Sequence, residues 1–351
     1  MNRREFLKLV GAGTVGAAVA PMAVAEAVGD AGRSAGAPSK KVIILGIDGM
    51  DPTILSRMMD EGKMPNFAKL AKEGSYRPLG TSIPPQSPVA WSNFITGMDP
   101  GGHGIFDFIH REPESYLPFL STSKTEASKK TLSVGDWVIP LSSGQTTLLR
   151  RGKAFWQILE EHGIPTAVIK MPSNFPPAPS SGRSLSDMGT PDVLGTYGTF
   201  SLYTNNPGRY DEKDVTGGKI YPVDVYNDTV VAQIVGPKND FRKEHPDILI
   251  DFTVHVDPER PVGKIIVQDQ EILLNEGEFS DWVHLKFVAI PYVQSVSGIC
   301  RFYLKQVRPH FELYVSPVNI EPLNPALPIS TPKDFAAELA EEIGCYYTQG
   351  F

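Results

Sequence analysis

The sequence predicts an α/β protein in which a mostly parallel sheet, with helices on both faces, is interrupted by an antiparallel, β-rich insertion. Three observations favour this fold class. Apolar, β-branched segments alternate with amphipathic segments over residues 41–205, strand-like runs follow over 206–320, and a helical pattern returns within 321–351. Alternating strands and helices are typical of a parallel sheet. Short alternating runs separated by turn residues are typical of antiparallel strands.

The first elements of the α/β part carry clear boundary signals. KKVIILGI, residues 40–47, is a continuous apolar run of the kind that forms a strand buried on both faces. Asp51 precedes Pro52, which predicts an N-cap and a first helical residue for a helix that ends before Gly62. Further patterns predict helices at 65–73, 87–96 and 153–162 and a strand at 166–170.

The middle of the chain has a different texture. Seven alternating or β-branched runs lie between residues 218 and 318, separated by Gly, Pro, Asn and Asp turns. They predict an antiparallel subdomain inserted into the α/β domain. A helix predicted from residue 331 or 332 to 343 then returns to the α/β domain, which ends soon afterwards.

The first 40 residues predict an export signal and a flexible spacer rather than folded structure. A basic start, a mildly apolar middle and a small-residue site at 23–25 are typical of signal peptides. The paired Arg3 and Arg4 resemble a twin-arginine signal, with an ordinary secretory signal or a membrane anchor as alternatives. This resemblance implies passage through the twin-arginine translocase, folded and with any cofactor loaded, to the periplasm or the exterior. Glycines and Pro21 make the apolar stretch too weak for a stable transmembrane span.

Charge and cysteine content narrow the function classes. The net charge is −7, and because residues 1–40 carry +2, the remainder carries about −9. This acidic balance argues against nucleic-acid binding. The chain has two cysteines, Cys300 and Cys345, and no CxxC pair. We expect two buried free thiols, while a disulfide between them stays open because export would permit one.

Asp48 is the first candidate functional residue. It follows the predicted strand at 40–47, and ligands of open α/β sheets bind beyond the carboxyl ends of strands. Gly46 and Gly49 flank it and would allow close approach of the backbone. Asp48 could instead cap the next helix, but Asp51 already fits that position. We therefore predict that Asp48 binds a divalent metal ion.

Ser87 is the second candidate, and it has two interpretations. It precedes Pro88 at the start of a predicted helix, where a serine commonly serves as a structural N-cap. The same place suits a nucleophile, because the positive end of a helix stabilises negative charge. A serine hydroxyl needs a base or a metal to activate it. Ser87 lies in no Gly-x-Ser-x-Gly motif, and metal binding together with Asp48 is the remaining route.

Two stretches resemble a known family. VIILGIDGMDP and PPQSPVAWSNFITGMDPGGHGIFDF are similar to the type I phosphodiesterase/nucleotide pyrophosphatase branch of the alkaline phosphatase superfamily. The similarity is specific over about residues 41–110 and weaker beyond. It implies an alkaline-phosphatase-like sheet and hydrolysis of phosphate-ester small molecules. It also implies two divalent metal ions, which are zinc in the family.

The resemblance assigns roles to individual residues. Asp48 and Ser87 match the positions of a metal-binding aspartate and of a nucleophile that also binds the metal. Gly49, His103 and Asp107 match the motif as supporting residues. Phe108 stands where many pyrophosphatases have a phosphate-orienting asparagine, so that contact is missing or supplied elsewhere.

The metal-ligand motifs that the family carries later in the chain are not found at matching positions in this sequence. The family uses an Asp-x-x-x-His, an Asp-His pair and a further histidine, and the chain contains no Asp-His dipeptide. Asp99 and His103 have the first spacing but lie inside the N-terminal motif. Asp251 and His255 lie on a predicted strand, where four residues span about 13 Å. We therefore expect an incomplete metal site and an N-terminal part of a longer protein.

Three alternatives accompany this interpretation. A sulfatase is disfavoured because no arginine follows Ser87 and Pro88 at the required spacing. A phosphoglycerate-mutase-like phosphotransferase shares the fold and the Asp/Ser start. A catalytically inactive remnant, or an exported binding protein using the β-rich region, is favoured by the missing ligands.

Overall fold

The computed structural model describes residues 41–126, 128, 130–142, 144–211, 213 and 215–348. The predicted export signal and spacer at 1–40 lie outside these residues. The described chain divides into two compact units. We call residues 41–122 with 149–165 the helical unit, and residues 123–148 with 166–348 the β-rich unit.

The helices of the helical unit follow the predicted boundary signals. Asp51 caps α1, because its Oδ1 accepts hydrogen bonds from the backbone N–H groups of Thr53 and Ile54 at 2.7 and 2.9 Å. Gly97 ends α3 in the left-handed conformation that glycine favours. The unit contains α1 (Pro52–Asp60), α2 (Pro65–Glu73), α3 (Ser87–Thr96), α4 (Pro100–His103), the strand pair β1 (Ile109–Arg111) and β2 (Pro118–Leu120), and α5 (Phe155–Glu161).

The prediction of a buried strand at 40–47 was wrong over its described part. Residues 41–47 form no strand, and the exposed fractions of Val42, Ile43 and Leu45 are 84, 92 and 80%. None of the described strands pairs with this segment. A strand is stable only when a neighbour binds its backbone groups, so apolar character alone did not produce one.

The β-rich unit confirms the predicted antiparallel strands. Four-stranded and three-stranded sheets run in the orders β11-β12-β13-β14 and β16-β17-β20, and a five-stranded sheet runs β10-β9-β19-β18-β15. Their bounds are β9 (Phe200–Thr204), β10 (Gly218–Pro222), β11 (Thr229–Lys238), β12 (Asp247–Val256), β13 (Val262–Val267), β14 (Gln270–Asn275), β15 (Glu278–Phe279), β16 (Val283–Ile290), β17 (Gln294–Cys300), β18 (Phe302–Gln306), β19 (Glu312–Val315) and β20 (Asn319–Ile320). A short 3₁₀ helix spans Pro207–Arg209.

One apolar core holds these sheets together. Alternate residues of β12 and β16 point inward and are buried, as expected for strands with one face on a core. Phe252 of β12 lies at its centre, with ring centroids 5.0 Å from Tyr203 and 5.8 Å from Phe302. Edge-to-face aromatic contacts at these distances stabilise a core beyond the area they bury.

The remaining elements of the β-rich unit are small. Two hairpin-like pairs join β3 (Ser123–Glu126) to β6 (Gln145–Leu148) and β4 (Thr131–Val134) to β5 (Trp137–Pro140). A further sheet runs β21-β8-β7, with β7 (Ala167–Met171), β8 (Arg183–Ser186) and β21 (Ser330–Thr331), and α6 (Phe335–Ile343) follows.

Parallel pairing occurs between β7 and β8 and between β9 and β10, while the other described pairs are antiparallel. The structure is therefore mixed α/β, and an alkaline-phosphatase-like parallel sheet is not confirmed. The cysteines are both free thiols: Cys300 is buried as expected, but Cys345 is only half-buried. Across the described residues, no helix combines the length and apolar character needed to cross a bilayer.

Candidate active site

Asp48 lies at a turn directly after the exposed apolar segment. Its side chain is exposed, and Gly49 after it adopts φ +65°, which favours glycine. The indole ring of Trp91, on α3, lies against the backbone of Gly46; a Cβ atom placed there would be 2.4 Å from its Cη2 atom. The stretch that leads to Asp48 therefore runs beside the helix that begins with Ser87.

Ser87 is the first residue of α3, one position later than an N-cap. The N-cap is Gln86, whose backbone is extended, so the prediction of Ser87 as the cap was wrong by one residue. Gln86 O accepts hydrogen bonds from the N–H groups of Val89 and Ala90 at 3.0 and 2.9 Å. Pro88 has no N–H.

This arrangement leaves Ser87 with free polar groups. Neither its hydroxyl nor its backbone N–H makes a hydrogen bond to another described residue, and the side chain is half-buried. At a helix N-terminus, the free N–H points where an anionic oxygen can be bound. Ser87 therefore presents a hydroxyl group and an N–H donor at the same place.

An aromatic cluster connects α3 to α5. Phe94 of α3 makes edge contacts with Trp91 and Phe155, at centroid distances of 6.0 and 5.4 Å. The guanidinium of Arg150 lies 6.0 Å from the ring centre of Trp156. Burial lowers the pKa of Arg150 to about 10, and it remains a cation at neutral pH.

His103 is a buried residue that contacts α3. Its Nε2 lies 2.6 Å from Oδ1 of Asn93, and its Nδ1 accepts a hydrogen bond from the N–H of Ile105 at 3.1 Å. Burial lowers the pKa of His103, as does the charge of Arg150, against a smaller opposing effect of Asp99. The ring is therefore neutral at pH 7. Sequence reasoning missed Asn93, whose polar side chain follows the buried Ser92 on α3.

Asp107 makes local hydrogen bonds that stabilise its own loop. Its Oδ1 accepts a hydrogen bond from the N–H of Phe108 at 2.6 Å, and its carbonyl oxygen accepts one from the hydroxyl of Ser121. Phe108 is exposed. The neighbouring His110 accepts a hydrogen bond from a backbone N–H at 3.1 Å, and burial lowers its pKa.

The two Asp-x-x-x-His pairs do not form ligand pairs. Asp99 caps α4 by accepting the Gly102 N–H at 3.0 Å, while the His103 ring contacts α3 instead. Asp251 and His255 lie on β12 as predicted, and each bonds to a different side chain of β11, at 2.8 and 3.2 Å. Both pairs therefore have local structural roles.

Most of the other histidines also have local partners. His284 Nδ1 lies 2.6 Å from a carboxylate oxygen of Glu321, His245 Nδ1 lies 3.1 Å from Asp240, and His162 Nδ1 lies 2.8 Å from a carbonyl oxygen of its own helix. Among the described residues, no three His, Cys, Asp or Glu side chains are grouped so that they could hold a metal ion. Zinc takes four ligands. Asp48 and the Ser87 hydroxyl alone therefore do not fit a two-metal centre.

The helix that begins with Ser87 thus lies beside the segment that leads to Asp48. Residues 42–268 match the family model of type I phosphodiesterases and nucleotide pyrophosphatases. This match covers more than half of the chain, and the chain therefore belongs to that family. No curated protein and no solved structure matches it significantly.

Proposed function

We propose that the protein hydrolyses phosphate esters through a covalent intermediate on Ser87. The observation that carries this proposal is the unpaired hydroxyl and N–H of Ser87 at the first turn of α3, within the segment matched by the family. A capping serine would accept a backbone N–H with this hydroxyl, and the N–H of a first helical residue is open to an anionic oxygen. The substrate class is a phosphate ester, which phosphate monoesters, diesters, nucleotides and phospholipid head groups all contain.

The reaction follows from the groups that Ser87 presents. Its Oγ attacks phosphorus in line with the leaving oxygen, so that an O–P bond forms while the bond to the leaving alcohol breaks. The hydroxyl proton ends on the leaving alcohol. Water then attacks the phosphoserine, which releases the phosphate product and restores the hydroxyl. The free N–H of Ser87 and the helix N-terminus favour the negative charge that develops on a non-bridging oxygen.

We propose that Asp48 contributes one ligand to a divalent metal ion, for which the described residues hold no complete ligand group. Asp48 is exposed and forms no ion pair with a described cation, and its turn lies next to α3 through the contact between Gly46 and Trp91. Zinc bound by the full-length chain and lost in Asp48→Asn would support this role. Equal zinc content in the two proteins would contradict it.

The test of the proposed function compares Ser87→Ala with Ser56→Ala, using bis(p-nitrophenyl) phosphate and p-nitrophenyl phosphate with zinc supplied. Ser56 is half-buried like Ser87, but its hydroxyl bonds to a carbonyl of its own helix, so it is a matched control. We expect Ser87→Ala to lower turnover by about a thousandfold or more, because the nucleophile is removed. Mass spectrometry should find phosphate on the Ser87 peptide of the wild type. Activity that survives Ser87→Ala would refute the proposal.

A second candidate is a binding protein or inactive remnant. It is favoured by one observation: the described residues hold no group of three metal-ligating side chains. Metal analysis separates the candidates. A stoichiometric pair of zinc ions together with turnover would exclude the inactive form. If the protein binds no metal and shows no turnover, the enzyme is excluded for this chain.

A further inference from the structure

A polar contact joins the end of α3 opposite to Ser87 to another element. Asn93 lies six residues after Ser87, about 9 Å along the helix axis at 1.5 Å per residue. Its side chain meets Nε2 of His103 at 2.6 Å, and the imidazole has no exposed surface. Asn93 is therefore too far along the helix to touch a substrate bound at Ser87.

His103 is itself fixed on two further sides. The N–H of Ile105 donates a hydrogen bond to Nδ1 at 3.1 Å. Nε2 meets the side-chain amide of Asn93 at 2.6 Å, and with the Nδ2 atom of that amide facing the ring, Nδ2 also donates to the carbonyl oxygens of Val89 and Met98 at 3.1 and 3.3 Å. The carbonyl oxygen of His103 accepts the N–H of Arg151 at 2.9 Å. The imidazole of His103 thus connects α4 to α3, and the backbone carbonyl of the same residue connects α4 to the chain that leads into α5.

We propose that the hydrogen bond between Asn93 and His103 positions Ser87 for attack, by fixing the rotation and axial placement of α3. This inference rests on the proposed function of Ser87. A ten-residue helix moves largely as one body, so a shift at Asn93 is carried to its first residue. Misplacement of a reacting group by about 1 Å can cost about a hundredfold in rate. Asn93 and His103 are positioning residues and touch no reacting atom.

Two replacements of His103 separate the two bonds of its ring. The amide of Gln reaches the place of Nε2 and carries both a donor and an acceptor, so His103→Gln retains a hydrogen-bond partner for Asn93. The shorter amide of Asn reaches only the place of Nδ1, so His103→Asn retains an acceptor for Ile105 and loses the contact with α3. Both variants replace an imidazole by an amide at the same buried position, and they form a matched pair.

Steady-state turnover of bis(p-nitrophenyl) phosphate and hydrogen exchange of the peptide 87–97 are measured for both variants. We expect His103→Asn to lower kcat by about tenfold or more with KM changed less than about threefold, because binding is kept and alignment is lost. His103→Gln should stay within about threefold of the wild type. Exchange in the peptide 87–97 should accelerate in His103→Asn only.

Equal kcat values, or equal exchange of the α3 peptide in the two variants, would overturn the inference. Failure of the proposed function gives a different result: Ser87→Ala then retains turnover, or the wild type shows none. In that case the exchange measurement still decides whether the bond holds α3. Asn93→Ala removes the partner of His103 and leaves His103 unchanged, so we expect it to reproduce the loss of kcat and the faster exchange of His103→Asn. Wild-type values of both in Asn93→Ala would also overturn the inference.

Discussion

Replacing Glu312 by Gln tests the electrostatics of the β-rich unit. Glu312 lies on β19 with no exposed side-chain surface, 2.6 Å from Lys305 Nζ and 3.1 Å from Arg209 Nη1. Burial opposes its ionisation, but the nearby Lys305 and Tyr210 side chains and the positive charges of Lys305 and Arg209 outweigh that effect. The pKa of Glu312 is therefore lowered.

The size of the effect follows from these contacts. Gln keeps the shape of the side chain and removes its charge, and a hydrogen bond to a charged group contributes about 1.5–3 kcal/mol. Lys305 and Arg209 keep exposed fractions of 41 and 54%, so water can hydrate both once the carboxylate is gone. We expect Glu312→Gln to lower the free energy of unfolding by about 2–3 kcal/mol at pH 7, less than a fully buried pair would lose.

The pH dependence supplies the sharper test. A carboxylate with a lowered pKa stabilises the folded state above the pKa of the unfolded chain, and this contribution is lost as pH falls through the folded pKa. Urea unfolding at pH 7 and in acid should therefore show a gap between wild type and variant that narrows on acidification. Glu271→Gln, which breaks the exposed pair with Lys264, is the control and should change little. A gap independent of pH, or equal to that of the control, would refute the reasoning.

Two other predictions concern the helical unit and the N-terminus. Gly46→Ala should lower the urea midpoint of unfolding, because the added Cβ would lie 2.4 Å from the rigid ring of Trp91. Gly80→Ala is the control and should not lower it, because no atom lies within 4 Å of its added Cβ. Equal midpoints of the two variants would contradict the contact between Gly46 and Trp91. Replacing Arg3 and Arg4 together by Lys should stop export if the N-terminus is a twin-arginine signal, and cell fractionation that still finds the variant outside the cytoplasm would exclude that route.

Helices were easier to predict from the sequence than strands, and the reason is physical. Asp51 and Pro52 specify the start of α1 through bonds that span only a few residues, and the predicted boundary was confirmed. The segment 41–47 has an equally strong local pattern, but a strand depends on neighbours that its own residues cannot supply. The prediction of antiparallel strands in the β-rich unit was confirmed, because the partners of these strands lie close along the chain.

The candidate site divides in the same way. Ser87 and Asp48 could be chosen from residue type and spacing, and their roles stay predictions. Asn93 could not, because its importance depends on a contact with His103 that no periodicity reveals. The sequence pattern also could not place the N-cap at Gln86 rather than Ser87, since a serine before a proline fits both the N-cap and the first helical position.

The exposed segment 42–47 affects how the protein behaves in concentrated solution. Its six residues contain no charge and no proline and lie outside every described sheet, a composition that favours stacking of identical segments between chains. Lys41 and Asp48 border it, and stacking in register would bring like charges within about 5 Å of each other at both ends. Asp48 therefore opposes in-register stacking of this segment, and we expect a neutral replacement at this position to increase aggregation.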